Sequence, residues 1–223
     1  MPSVRPLLFA LLPLFAGCQL LSNFTEQAPA SQPRFQGEIS QQDGQLLFKP
    51  CLGKNSYQLV SAASDLSDEQ LQALLNDAGK PLFADLRGMP DAYNPGENKG
   101  QLLVSQVYRL QSEGPACDDP NFKQLLVRAH GNEPLWNINI GRQGLVLERL
   151  GQPPVALPYL EERLPDGSSS ISTEGDGLKL ELWLTPQSCS DSMTGNIEHM
   201  TAELSLNDEE LHGCAAFGAR RSD

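Results

Sequence analysis

Apolar and polar positions alternate at a period of two through most of this chain and predict a mainly β protein. Phe35 and Ile39 share one face of a short strand, and Leu46 and Phe48 share one face of the next, which runs from Gly44 to Pro50. Asp43-Gly44 between them is the turn of a hairpin. Tyr57 to Ser61 reads as a third strand. The period then lengthens. Ser67 is placed to cap a helix, Gln70 closes a capping box, and Leu66 with Leu71 form a hydrophobic staple. Leu71, Leu74, Leu75 and Ala78 line one face of that helix, and Gly79 ends it. Extended structure returns at Pro81 to Gly88. A loop rich in Pro, Gly, Asp and Asn covers 89–100, and a long strand follows from Gln101 to Leu110. Three strands, a helix and two strands predict an OB-like five-stranded barrel with one helix, the alternative being an α+β sheet.

Asp118-Asp119-Pro120 marks a break, and a second antiparallel β-rich domain follows. Phe122 to Ala129 is ambiguous between strand and helix. Pro134 to Ile140 and Gly144 to Leu150 form a hairpin around Gly141-Arg142-Gln143-Gly144. The stretch 151–177, interrupted by Pro153, Pro154, Pro158 and Pro165, reads as more loop than strand, with Ser168-Ser169-Ser170 in a flexible loop. Leu178, Leu180, Leu182 and Leu184 face one way, and Met200, Ala202, Leu204 and Leu206 repeat the pattern before a turn at Asn207 to Glu210. Such strands put one face in a core and one in water.

The first 17 residues change the picture of where the chain works. Arg5, an apolar run from Leu7 to Phe15 and Leu14-Phe15-Ala16-Gly17-Cys18 make a bacterial lipoprotein signal with its lipobox. The run falls short of the about 20 residues that span a bilayer. Cleavage before Cys18 leaves a thiol for acylation, and two or more chains such as palmitate anchor firmly. Gln19 stands where lipoproteins retained at the inner membrane carry Asp, so that sorting rule assigns an outer-membrane anchor facing the periplasm. The domain organisation expected is a signal over 1–17, a tether over 18–33, an OB-like domain over 34–119 and a β-rich domain over 120–220.

With 16 Lys+Arg against 28 Asp+Glu, the net charge is −12, which repels nucleic acid and anionic lipid. Beyond Cys18 the cysteines are Cys51, Cys117, Cys189 and Cys214. An even number in an oxidising compartment reads as disulfides. Four allow three pairings, and their split spacing favours Cys51–Cys117 with Cys189–Cys214. No two lie close enough for a C-x2-C zinc pair, so no metal and no cofactor is expected from them.

Candidates for chemistry are few. His199 is expected to point to solvent opposite Met200, and His212 lies opposite Leu211; two exposed histidines on neighbouring strands could hold Cu or Zn weakly, the preferred reading being plain surface positions. No Walker A, G-x-S-x-G or H-E-x-x-H motif occurs. Glu133 and Trp136, in Gly131-Asn132-Glu133-Pro134-Leu135-Trp136, read either as a ligand lip or, preferably, as a turn carboxylate beside a core plug. Asp191, Ser192 and Met193, after Cys189, suit an Asx or Ser turn that a disulfide would pin.

These residues also carry two resemblances. Gln45 to Cys51, Tyr57 to Val60, Gly79 to Ala84 and Leu102 to Tyr108 before Cys117 resemble the C-terminal OB-fold domain of NlpE-type outer-membrane lipoproteins, linked to envelope stress and copper. That resemblance implies a Cys51–Cys117 bridge. The C-x-x-C domain that precedes the barrel in that family has no counterpart in the sequence given, so copper chemistry through it is not carried over. Residues 122–218 resemble a β-rich domain of bacterial envelope proteins with Gly-x-Glu-Pro-Phe-Trp, Cys-x-Asp-x-Met-Ser and Gly-Cys-Ala hallmarks, distantly similar to META-type domains. The expectation is a non-catalytic envelope lipoprotein with a protein partner or a stress-sensing role, anchored to the membrane through its lipid. The alternatives are a periplasmic binder of small ligands or metal, and a hydrolase.

Overall fold

The structure, a computed structural model, describes residues 32–61, 67–91, 100–114, 116–219 and 221. The lipobox, Cys18, the tether and Leu66 of the expected staple lie outside the described residues. Residues 32–223 fall into one compact unit.

The first half supplies β1 (Arg34–Gln42), β2 (Gln45–Pro50), β3 (Tyr57–Ser61), α1 (Asp68–Ala78), β4 (Leu82–Pro90) and β5 (Gly100–Gln111). Asp43 and Gly44 both have positive φ, 53° and 78°, the pair of left-handed residues that a two-residue hairpin matched to strand twist needs. Ser67 caps α1 in a full capping box with Gln70, and Gly79 at φ 61° ends it. The strands close on themselves. β1 pairs with β2 and β4, β2 with β3, and β4 with β5, all antiparallel, while β3 runs parallel to β5. This is the OB-like five-stranded barrel with its helix between the third and fourth strands. Ile39, Phe48, Leu59, Leu86 and Leu102 fill it, and Leu71 and Leu75 of α1 pack on them. Cys51 is joined to Cys117.

The second half gives β6 (Leu125–Asn132), β7 (Leu135–Gly141), β8 (Gly144–Arg149), β9 (Val155–Leu157), β10 (Leu160–Arg163), β11 (Ser169–Gly175), β12 (Leu178–Thr185), β13 (Cys189–Ser190), β14 (Ile197–Glu198), β15 (Met200–Leu206) and β16 (Glu209–Phe217). Nine of these form a curled antiparallel sheet in the order β10-β11-β12-β15-β16-β6-β7-β8-β9. Its core holds Trp136, Ile138, Leu147, Ile171, Leu182 and Leu204.

Several expectations are corrected. The segment read as ambiguous, Phe122 to Ala129, is a turn as far as Gln124 and strand from Leu125, where β6 starts; Asp119 Oδ1 accepts from Asn121 N at 2.8 Å just before it. The stretch 151–177 holds three strands rather than mostly loop. Ser168, Ser169 and Ser170 are buried, because β11 pairs on both sides with β10 and β12.

The sheets are not confined to their halves. β13 and β14 leave the second half and extend the first sheet, with Ile197 opposite Leu110 and Glu198 opposite Arg109 on β5. The stretches 34–119 and 120–220 therefore share one sheet. Asn196 ties the hairpin down further, its Oδ1 accepting from Ser112 N at 2.9 Å.

Candidate functional site

Glu198 and His199 are where the chain crosses from one sheet to the other. β14 ends at Glu198, His199 is the single link, and Met200 opens β15 opposite Ala215. This crossing overturns the expected exposure of His199. Its ring lies edge-on between Tyr108, at 4.7 Å, and Phe217, at 4.6 Å. Its Nδ1 donates to the Tyr108 carbonyl at 3.1 Å, leaving Nε2 as the bare acceptor of a neutral ring. Burial pushes the imidazole down to about 4, against the hydrogen bond to Tyr108, which works upward. His212 stays exposed opposite Glu203, so the expected pair of exposed histidines is not formed.

Glu198 is buried against Arg109, with Nε at 3.4 Å, and against His130, with Nε2 at 3.3 Å. Burial alone would raise its carboxyl. The His130 hydrogen bond and the charges of Arg109, His130 and Arg128 outweigh that and hold it below the usual range. The other nitrogen of His130 faces Asp191 at 3.4 Å. Asp191 Oδ1 accepts from Met193 N at 2.7 Å, Thr194 N at 2.9 Å and Asn132 Nδ2 at 3.0 Å. Burial again works upward on the Asp191 carboxyl, and these donors with His130 bring it down. The Asx turn expected at 191–193 is thus present. Its position is held by the Cys189–Cys214 bridge, since Cys214 pairs in register with His130. Gly213 permits this approach: a Cβ there would lie 1.9 Å from the His130 carbonyl oxygen.

A second ionic group sits on the outer wall of the barrel. β4 departs from alternation, with Leu82 to Leu86 all buried: Leu82, Ala84 and Leu86 fill the barrel, while on the other face Phe83 meets Phe122 edge-on and Asp85 meets Arg34. Asp85 accepts from Arg34 Nε and Gln36 Nε2, each at 2.6 Å. Arg34 reaches onward to the Phe217 and Gly218 carbonyls at 3.0 and 3.2 Å. Burial raises the Asp85 carboxyl in spite of Arg34, Gln36 and Arg109. Register shifts on either side of Leu86-Arg87 re-aim this part of β4.

Beside Glu198 and His199 opens a cleft of about 650 Å³. The barrel contributes Arg87 and Tyr108. The second sheet contributes Arg163, Ser168 and Phe217, with Arg221 after it, and His199 lies in the wall. Arg34 and Arg87 lie 5.4 and 5.3 Å from the Tyr108 ring centre, and Arg221 lies 4.3 Å from that of Phe217. Six of the chain's ten arginines, Arg34, Arg87, Arg109, Arg128, Arg163 and Arg221, stand at this junction. A larger depression of about 940 Å³ lies on the outer face of β6 to β9. There Asn137 is engaged by Arg128 at 3.0 Å and by Glu148 at 2.7 Å.

The residues singled out from sequence scatter around the junction. Trp136 is a core plug, 1% exposed, not a ligand lip. Its indole lies over Gly131, where a Cβ would come within 2.4 Å of Nε1. Glu133 is exposed on the turn before it. Ser192 is exposed, and Met193, 71% exposed, forms the tip of the pinned turn. Asp191 meets His130. The arginines, Tyr108, His130 and Glu198 were not singled out. One signal pointed to Glu198: alternation extended backward from Met200 puts it on the buried side, and a buried carboxylate needs partners.

Among the described residues, no three His, Cys, Asp or Glu side chains group so as to hold a metal ion. Comparison with family models, curated proteins and solved structures returned no match.

Proposed function

We propose that this chain is a non-catalytic, lipid-anchored envelope protein of the outer membrane, facing the periplasm, and that it binds a small ligand in the cleft between its two sheets. The observation that supports this most is the cleft itself, about 650 Å³ with arginines and aromatic rings in its walls. Its volume is that of a drug-sized ligand site, and such sites favour junctions between structural units. The lipobox at Leu14 to Cys18 and Gln19 support the address, and so does the resemblance of the barrel to the NlpE-type domain. An OB barrel by itself names no ligand. This ranks the small-ligand reading above protein binding.

Protein binding is the second reading. It is favoured by Met193, 71% exposed at the tip of a turn held by Asp191 and by the Cys189–Cys214 bridge. Native mass spectrometry of the full chain released from envelopes tests both. A non-covalent small-molecule adduct is expected. A stoichiometric protein crosslinked through position 193, with no small adduct, would reverse the ranking. Recovery of neither would remove the binding reading altogether.

A further inference from the structure

We infer that the depression on the outer face of the second sheet is a further binding site, separate from the cleft proposed above, and that it takes a neutral saccharide. Its volume is about 940 Å³, against about 650 Å³ for the cleft. The observation that carries this is Asn139, half-buried in the lining, whose side-chain amide makes no hydrogen bond to any described residue.

The depression follows from the strand register. Trp136, Ile138 and Ile140 of β7 turn into the core, so Asn137 and Asn139 face outward. Arg128, Asn139, Val146 and Ala156 stand opposite one another in a single row across β6, β7, β8 and β9. Gly141 and Gly144 are the next pair on the same face. Short side chains at 146 and 156, and none at 141 and 144, keep this floor low. The turn carrying Asn121 and Gln124 and the turn carrying Arg142 and Gln143 stand around it.

The charges of the lining cancel. Asp119 and Glu148 stand against Arg128 and Arg142, and both carboxylates act on Arg128. A chain of net charge −12 thus presents a locally neutral surface here, with no excess to select an ion. What the lining has to offer is primary amides. Those of Asn121, Gln124, Asn139 and Gln143 make no side-chain hydrogen bond to a described residue. Each amide brings two donors and an acceptor. A hydroxyl needs both, and a sugar ring carries several hydroxyls around an apolar C–H face. Amides at the rim, with Val146, Ala156 and Pro158 beneath, suit that distribution. A peptide would need pockets for alternate side chains, and a floor of Gly141, Val146 and Ala156 supplies none.

The test is calorimetric titration of the full chain, in a detergent that contains no sugar, with maltotriose and with chitotriose. At least one should saturate a single site; saturation by neither would overturn the inference. Its affinity should stay the same from about 0.05 to about 0.5 M salt, because a neutral ligand is not screened; a tenfold fall would overturn the neutral assignment. Gln124→Met, at an exposed position, and Asn139→Leu, with its fold checked by circular dichroism, remove the amides at near-constant volume. Each should weaken binding at least about fivefold. Arg163→Gln, in the other cleft, should leave it unchanged. Amide variants that bind like the parent, or a loss confined to Arg163→Gln, would overturn the site. Co-sedimentation with insoluble cell-wall glycan distinguishes the sources: binding there as well as to the trisaccharide assigns a wall polymer, and binding to the trisaccharide alone assigns a soluble sugar.

Discussion

His199 should cost this protein stability on acidification above the range in which ordinary carboxylates titrate. Its imidazole is pushed from 6.5 to about 4 by burial between Tyr108 and Phe217. The unfolded chain therefore takes up a proton that the folded chain refuses. The stability tied to this group is complete above about pH 6.5 and is lost progressively as pH falls toward about 4. A depression of this size corresponds to about 3 kcal/mol over the whole window, of which about 2 kcal/mol falls between about pH 7 and pH 5. The groups facing His199 are Arg34, Arg109 and Glu198. Glu198 and Asp191 are held low, so the stability they add is lost only below about pH 4.5. Asp85 acts in the opposite sense. Its carboxyl is raised by burial, so the folded state takes the proton first and gains stability on acidification. A difference between variants isolates His199 from Asp85. His199→Phe keeps a ring in the slot and removes the titration. Urea unfolding followed by the fluorescence of Trp136 should show the parent losing about 2 kcal/mol more than the variant between about pH 7 and pH 5. Equal losses in parent and variant would refute the burial argument.

Other substitutions test the junction and the core. Cys189→Ala with Cys214→Ala should lower stability by about 2 to 4 kcal/mol, and hydrogen exchange should rise at Ile197 and Glu198, whose strand the bridge holds against β5. Asp191→Ala removes the acceptor for Met193 N, Thr194 N and Asn132 Nδ2; the expected loss in urea unfolding is about 2 to 3 kcal/mol. Glu198→Leu leaves Arg109 buried without its ion pair and should cost about 3 to 5 kcal/mol by the same assay. Trp136→Ala should cost about 3 to 5 kcal/mol in urea unfolding followed by circular dichroism, through the cavity it leaves in the core of the second sheet.

The barrel was legible because its signals are local. Asp43-Gly44 names its turn, Ser67 and Gln70 name the start of the helix, and each strand between Arg34 and Gln111 is long enough to show a period. The same holds for the hairpin of β7 and β8. The stretch 151–177 was misread for the converse reason. β9 and β10 have three and four residues among prolines, too few for alternation to register, and their pairing depends on partners elsewhere in the chain. β13 and β14, at two residues each, are shorter still. Periodicity could not show that they extend the first sheet.

That crossing is also why the junction stayed hidden while its pieces were in plain view. Arg34, Asp85, Arg109, His130, Asp191 and Glu198 are ordinary charged or polar positions when each strand is read alone. They become costly only when a second sheet covers the barrel wall and removes water from them. The cost is met by pairing across distance: Asp85 with Arg34 over 51 positions, Asn132 with Asp191 over 59, His130 with Glu198 over 68. No short window of the sequence contains both members of any of these three pairs. The local trace of the junction lies in broken patterns. β4 is buried on both faces where a barrel strand should alternate, and Glu198 falls on the inward side of the phase set by Met200. Charge at an inward position, in a strand that otherwise keeps its period, marks where two sheets of one chain meet. In this protein that is also where the arginine-lined cleft opens.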